Sequence, residues 1–336
     1  YPKAGEQNSA VKVGVVTLAT QQTQWAELPG DNRDRYVPRI SWAGTSEALL
    51  IQDVNRPQNT NTLRLFNWKT NTLKTIYTDK DDAFLEWYYA AEWEEDGSHF
   101  VWHSERDGWR HLYRISRDGS DIVDLTPGDY DIVDLITLNE ATNSFYFTAA
   151  PEHPEQRFLF KGSLDGSQPV ERVTPASFAG NNSYYMSKDA SYAMHTHSRF
   201  NQPPASQIIR TEGHATITQL TTNDALNAQL ANEVLPSHEF FSVEARDGVE
   251  LDGWIMFPAD MDPNKKYPII FYVYGEPWGS TVQDRWGGNS YLWNSMMTQK
   301  GFIMASVDNR GTRAPKGRDW RKSIYKKIGS VTVRDQ

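Results

Sequence analysis

Short runs of alternating apolar and polar residues follow one another through the first two thirds of the chain. Leu112-Tyr113-Arg114-Ile115 alternates, meets Asp118-Gly119, and returns as Ile122-Val123-Asp124-Leu125. Period-two alternation predicts a half-buried strand. Asp-Gly between two such runs predicts a tight hairpin, because glycine takes φ > 0 without a Cβ clash. The arrangement recurs. Asp118-Gly119-Ser120 precedes Leu125-Thr126-Pro127, Asp165-Gly166-Ser167 precedes Val173-Thr174-Pro175, and a degraded copy, Glu212-Gly213-His214, precedes Leu220-Thr221-Thr222. Gly119, Gly166 and Gly213 stand 47 residues apart. A weaker copy pairs Lys69-Thr70-Asn71 with Ile76-Tyr77-Thr78.

Two further strand-like runs precede each hairpin, for example His99-Phe100-Val101-Trp102. About four strands in a period of about 40–50 residues is the signature of a β-propeller blade. The alternative, a β-sandwich, would make the equal spacings accidental. The pattern predicts four to five blades, at about 11–30, 36–80, 85–127, 132–176 and 184–222. A closed propeller has about 4–8 blades, so further blades before Tyr1 are expected. Polar residues 223–237, with a helical Ala/Leu/Asn flavour, read as a linker.

The pattern then changes. Glu239-Phe240-Phe241-Ser242-Val243 and Gly248–Pro258 are alternating strands around an Asp247-Gly248 turn. Lys265-Lys266-Tyr267-Pro268 feeds an apolar run through Tyr274, and Phe302–Val307 forms another, closed by Asp308-Asn309-Arg310-Gly311-Thr312. This is how the front half of an α/β-hydrolase sheet looks. The expected organisation is a partial β-propeller over residues 1–237 and the N-terminal part of an α/β-hydrolase domain over 238–336. Such a fold presents its nucleophile in a Gly-x-Ser-x-Gly turn, followed in chain order by an acid and a histidine. The pattern is missing, and none of the eight histidines lies beyond His238. Serine, acid and imidazole are therefore expected outside the segment, which alone should be inactive.

Composition narrows the partners. The net charge of −9 argues against a general nucleic-acid surface. The run Arg310, Arg313, Lys316, Arg318, Arg321, Lys322, Lys326 and Lys327 reads as a solvated, partly helical face. With no cysteine, disulfides and thiolate zinc sites are impossible. No stretch approaches the ~18–20 apolar residues of a membrane span. The 12 Trp, 16 Tyr and 14 Phe bury large areas and suit many short strands.

Four stretches resemble the dipeptidyl peptidase IV subfamily of the prolyl oligopeptidase clan, in its bacterial form. Tyr1-Pro2-Lys3-Ala4-Gly5 with Val11–Val16 resembles a mid-propeller segment. Ser104-Glu105-Arg106-Asp107-Gly108-Trp109-Arg110-His111-Leu112-Tyr113 resembles the subfamily's blade motif. Lys266–Pro277 resembles its tyrosine-bearing loop, with Glu276 where the family has glycine. Asp308–Thr312 and Gly329–Gln336 resemble the approach to the nucleophile. The resemblance implies a serine exopeptidase that releases X-Pro or X-Ala dipeptides from N-termini. It also implies a homodimer in the periplasm or secreted, with no cofactor and no metal. It implies that Tyr274 donates to the oxyanion of the tetrahedral intermediate. A phenol keeps its proton at neutral pH, and a donor aimed at developing charge is effective where water is excluded. Read from the strand alone, Tyr274 would simply cap it.

Other candidates read as structural. Glu94-Glu95 resembles an amine-binding pair but sits in a turn, as a solvated acidic patch. His195 and His197 share one face of a strand without an evident third ligand, as a blade-surface pair. Ser280 lacks the nucleophile turn and reads as loop polarity. Asp308 and Arg310 are expected to order loops around the active-site entrance. Two rival functions remain: another peptidase of the clan, tripeptidyl or acylaminoacyl, and a propeller interaction module with a dead hydrolase domain.

Overall fold

The computed structural model describes residues 3–86 and 89–336. Tyr1 and Pro2, which open the stretch resembling a mid-propeller segment, lie outside the described residues, as do Trp87 and Tyr88 within the 85–127 repeat. The chain forms two compact units, Tyr1–Pro127 and Gly128–Gln336.

In the first unit the sheets follow the repeats. Gly14–Thr17 and Gln22–Trp25 make only a two-stranded hairpin. Ala48–Asn55, Thr60–Asn67 and Thr72–Lys80 form a meander, and both Arg35–Tyr36 and Ile40–Trp42 pair along its first strand, giving five strands where four were expected. Glu92–Trp93, His99–Ser104, His111–Ser116 and Ile122–Asp124 form a four-stranded antiparallel meander. Apolar faces of consecutive sheets bury one another. Leu50, Leu63 and Ile76 from one meander pack with Phe100, Trp102 and Ile115 from the next, all 5% exposed or less.

The second unit continues the pattern. Ile132–Asn139, Ser144–Ala149, Phe158–Ser163 and Glu171–Arg172 form one meander. Asn181–Met186, Tyr192–Arg199, Gln202–Arg210 and Ala215–Thr221 form another. Tyr146 and Leu159 of the first pack with Tyr184, Ala193 and Ile209 of the second.

The repeat has a local physical cause. Its turn residue is left-handed in every copy: Gly119 has φ +76°, Gly166 +69° and Gly213 +67°, and Asn71 takes the position at +52°. Asp118 and Asp165 accept the N–H of Ser120 and Ser167, closing the turn. These bonds, with the Ser120 and Ser167 side chains first, hold both carboxyls well below the usual range. The Thr-Pro element closes the other end. Thr126 Oγ1 accepts the Leu112 N–H at 3.0 Å, and Thr174 Oγ1 accepts the Leu159 N–H at 2.7 Å. Both threonines are buried, at 0% and 2% exposure, so each hydroxyl satisfies a strand N–H that the ladder would otherwise leave open.

Two polar groups expected in solvent are buried instead. Glu94 is 7% exposed and grips Arg114 through two hydrogen bonds, while Glu95 stays exposed. His195 and His197 share a strand face, but that face is internal, at 0% and 9% exposure. His195 Nε2 lies 2.8 Å from Asn182 Oδ1, and Gln207 Nε2 lies 3.1 Å from His195 Nδ1. One ring nitrogen donates and the other accepts, so the site fits a neutral imidazole. Burial, then the neighbouring His214 and His197, pulls its pKa down to about 3. Protonation therefore favours the unfolded chain, whose histidines titrate near 6.5. Stability conferred by His195 is present above pH 6.5 and declines as pH falls toward 3, by about 2 kcal/mol at pH 5. Urea unfolding midpoints at pH 7 and pH 5 should show this loss, and His195→Gln should shrink it.

Past the short helix Asp224–Leu230, which lies in the 223–237 segment, the sheet type changes. Ser237–Glu244 and Glu250–Phe257 form an antiparallel hairpin. Ile303–Val307 pairs antiparallel with Glu250–Phe257 and parallel with Ile269–Phe271. The parallel pair is joined through the helix Asn289–Gln299, the long connection that a parallel pairing requires. Trp254, Met256 and Met304 from the sheet, Tyr291 from the helix, Val282 and Phe200 make its core.

The basic run near the C-terminus is only partly solvated. Lys326 and Lys327 are exposed. Arg321 and Lys322 are buried at 3% and 5%, and Arg321 pairs with Asp131, itself 1% exposed. Arg310 binds Asp335 through two nitrogens and also reaches Asp247, and Lys316 pairs with Asp252. Carboxylates distant in sequence claim Arg310, Lys316 and Arg321, which periodicity alone does not reveal.

Candidate active site

The strand Ile269–Phe271 delivers Tyr274 to a cleft of about 770 Å³ in the second unit. Its backbone continues the parallel pairing, with the Tyr272 N–H donating to Ala305 O at 2.8 Å. The chain then turns at Gly275, whose φ is +77°. The Tyr274 ring lies over Gly279: a Cβ there would sit 3.0 Å from ring atom Cε1, so a hydrogen at that position gives the ring its seat. Tyr274 is 44% exposed and lines the cleft. Glu276, the departure from the resembling motif, is exposed.

Asp308 organises the loop that follows this turn. It is 3% exposed and accepts from the Ser280 hydroxyl, from both the N–H and the hydroxyl of Thr281, and from the Val282 N–H. Burial raises its pKa against the pull of those donors. Thr281 Oγ1 also meets Ser306 Oγ at 2.7 Å, and the Trp254 indole donates to Thr281 O at 3.0 Å. Ser280 is thus more than surface polarity, since its hydroxyl is spent on a buried carboxylate. Asp308 holds residues 280–282 in place through these bonds. Arg310 instead ties the Asp308–Thr312 loop to the helix Ser330–Asp335.

The remaining wall escaped sequence reading. Trp254 comes from the hairpin, Arg285 from a loop, and Tyr291, Trp293 and Asn294 from the helix Asn289–Gln299. One signal was available. Tyr291, Asn294, Ser295 and Thr298 follow i, i+3, i+4, i+7 spacing and mark one helix face, but polar members hide that stripe from a search for apolar periodicity.

Among the described residues, His195 and His197 join no cluster of potential metal ligands, and bond instead to Asn182, Gln207 and the Ala179 carbonyl. Asp107, His111 and Asp124 do converge, with His111 Nδ1 2.7 Å from Asp107 Oδ2 and 3.5 Å from Asp124 Oδ2. Asp107 and His111 belong to the blade motif, and Asp124 joins them from the returning strand Ile122–Asp124.

Residues 1–204 match the family model for the dipeptidyl peptidase IV N-terminal region. The whole chain aligns, at 24% identity, with 45% of a probable dipeptidyl peptidase 4 of Emericella nidulans and with 44% of a dipeptidyl peptidase 4 of Trichophyton equinum. It therefore spans about half the length of the curated relatives it matches. Among solved structures, dipeptidyl peptidase 4 of Porphyromonas gingivalis matches with a TM-score of 0.90 at 28% identity, over 98% of this chain and 46% of that one. A putative dipeptidyl aminopeptidase IV of Bacteroides ovatus matches with a TM-score of 0.87 at 27% identity, over 100% of this chain and 50% of that one.

Proposed function

Because this chain belongs to the dipeptidyl peptidase IV family, we propose that the whole protein is a serine exopeptidase that releases X-Pro or X-Ala dipeptides from peptide N-termini. In this reading residues 1–237 are propeller and 238–336 begin the hydrolase domain, with nucleophile, acid and imidazole outside residues 1–336. The sheet supports this: an antiparallel hairpin, then a parallel pair joined through a helix, ending near Tyr274.

The observation that carries the reading is Tyr274, half-exposed on the cleft and seated on Gly279. A serine oxygen attacks the carbonyl after the second substrate residue, and the imidazole takes its proton. The carbonyl oxygen becomes an oxyanion, to which the Tyr274 hydroxyl and a backbone N–H donate. The imidazolium then protonates the departing amine. A hydroxyl aimed at charge that exists only at this stage raises kcat more than it alters KM.

Tyr274→Phe in the longer protein should cut kcat on a Gly-Pro chromogenic substrate about a hundredfold with KM nearly unchanged. An unchanged kcat would remove Tyr274 from the mechanism. The longer protein should also be labelled by a fluorophosphonate, whereas residues 1–336 alone should be neither labelled nor active. We further propose a homodimer exported from the cytoplasm. Among the described residues, no helix is long and apolar enough to cross a membrane.

A further inference from the structure

Beyond Tyr274, the cleft carries an unneutralised cation. Arg285 lines it, is exposed, and has no ion-pair partner among the described residues. Its neighbour Asp284 cannot serve, because that carboxylate is 2% exposed, accepts the Phe200 N–H and pairs with Arg199. A second guanidinium lies near enough to feel Arg285. Arg157 donates to the carbonyls of Pro154 and Gln156, and its pKa is depressed to about 10 by burial and also by the like charge of Arg285, against the opposing pull of Asp134 and Glu155.

Three other features face the same space. The helix Asn289–Gln299 starts in the cleft wall with no side-chain cap and no acidic residue in its first turn, so its positive end is uncompensated. Tyr291, which also lines the cleft, is 3% exposed, and beyond its interaction with Ser295 its hydroxyl meets no hydrogen-bond partner among the described residues. The side-chain amides of Asn289 and Asn294 are likewise uncommitted among the described residues. Aromatic rings of Trp254, Tyr272 and Trp293 complete the lining. Every uncommitted group named here can donate a hydrogen bond, and the fixed charge is positive.

We propose that this cleft binds the C-terminal carboxylate of short peptides on the leaving-group side of the scissile bond, with Arg285 as its principal partner. The proposal rests on the peptidase reading for its substrate class. An N-terminal ammonium would be repelled by Arg285, whereas the C-terminal carboxylate is the one negative charge that every unmodified peptide carries. Arg285 would thereby be a specificity residue, favouring short peptides over internal stretches of long ones.

The test uses N-acetyl-Ala-Ala and its C-terminal amide, which lack the free amine an N-terminal exopeptidase requires and differ only at the carboxylate. Calorimetry on the longer protein should show the acid binding about fivefold tighter, since the guanidinium is partly solvent-screened, with the difference shrinking in high salt. Arg285→Met keeps the stem and removes the charge, and should equalise the two ligands. Arg285→Lys should restore part of the difference. Equal binding of acid and amide by the unaltered protein, or an acid preference that survives Arg285→Met, overturns the proposal. The two readings fail separately. Loss of the carboxylate preference leaves the Tyr274 kinetics untouched, whereas a longer protein without dipeptide release overturns the peptidase reading while the calorimetric result stands.

Discussion

Replacing Gly119 by alanine should destabilise the first unit by about 3–5 kcal/mol. The new Cβ would sit 1.8 Å from the Ile76 carbonyl oxygen and 2.7 Å from its carbon. Both are backbone atoms of the neighbouring sheet, so no rotamer change relieves the overlap. The residue also holds φ +76°, which costs an L-residue about 1–2 kcal/mol before any contact is counted. Gly213 is the internal control. It occupies the same place in its repeat at φ +67°, yet a Cβ there meets nothing within 4 Å. Gly213→Ala should therefore cost only about 1 kcal/mol. Urea unfolding followed by tryptophan fluorescence separates the cases, and equal losses would show that the approach to Ile76 is not what fixes glycine at 119.

A loss of about 3–5 kcal/mol is also expected from Asp131→Ala. Asp131 accepts from the Arg321 guanidinium and from the Gly317 N–H, and both partners of the ion pair are almost wholly buried. Truncating the carboxylate strands a guanidinium without its counter-charge, which is far costlier than losing a surface pair. Removing both charges should be mild. Asp131→Leu with Arg321→Met should recover most of the loss, because two apolar side chains need no counter-ion. A double-mutant cycle by urea unfolding gives the coupling directly. If the double variant is as unstable as the single one, the loss comes from packing or from the Gly317 bond.

These two cases also show what the sequence could and could not disclose. Gly119 was legible because its requirement is local: a left-handed turn between alternating runs leaves a signature within a few residues. The Thr-Pro partner was legible for the same reason, and its buried hydroxyls at 126 and 174 explain why threonine recurs there. Arg321 was misread because its partner lies 190 residues away and no periodicity encodes that distance. Glu94 was misread similarly, since Arg114 reaches it across neighbouring strands. Tyr274 stood out through a motif, whereas the rest of its cleft did not. Trp254, Arg285 and Asn294 come from a strand, a loop and a helix, and only folding makes them neighbours.

The Asp131–Arg321 bond has a consequence in time. A ribosome adding about 5–20 residues per second needs roughly 10–40 s to travel from one partner to the other. Throughout that interval the aspartate lacks this counter-charge, so any folding of the meander that follows it proceeds without the anchor. Arrival of the arginine is then expected to displace water from the aspartate and lock the region around residue 131. Slowing translation between the two codons should therefore lengthen the protease-sensitive lifetime of nascent chains around residue 131 and leave the earlier blades unaffected.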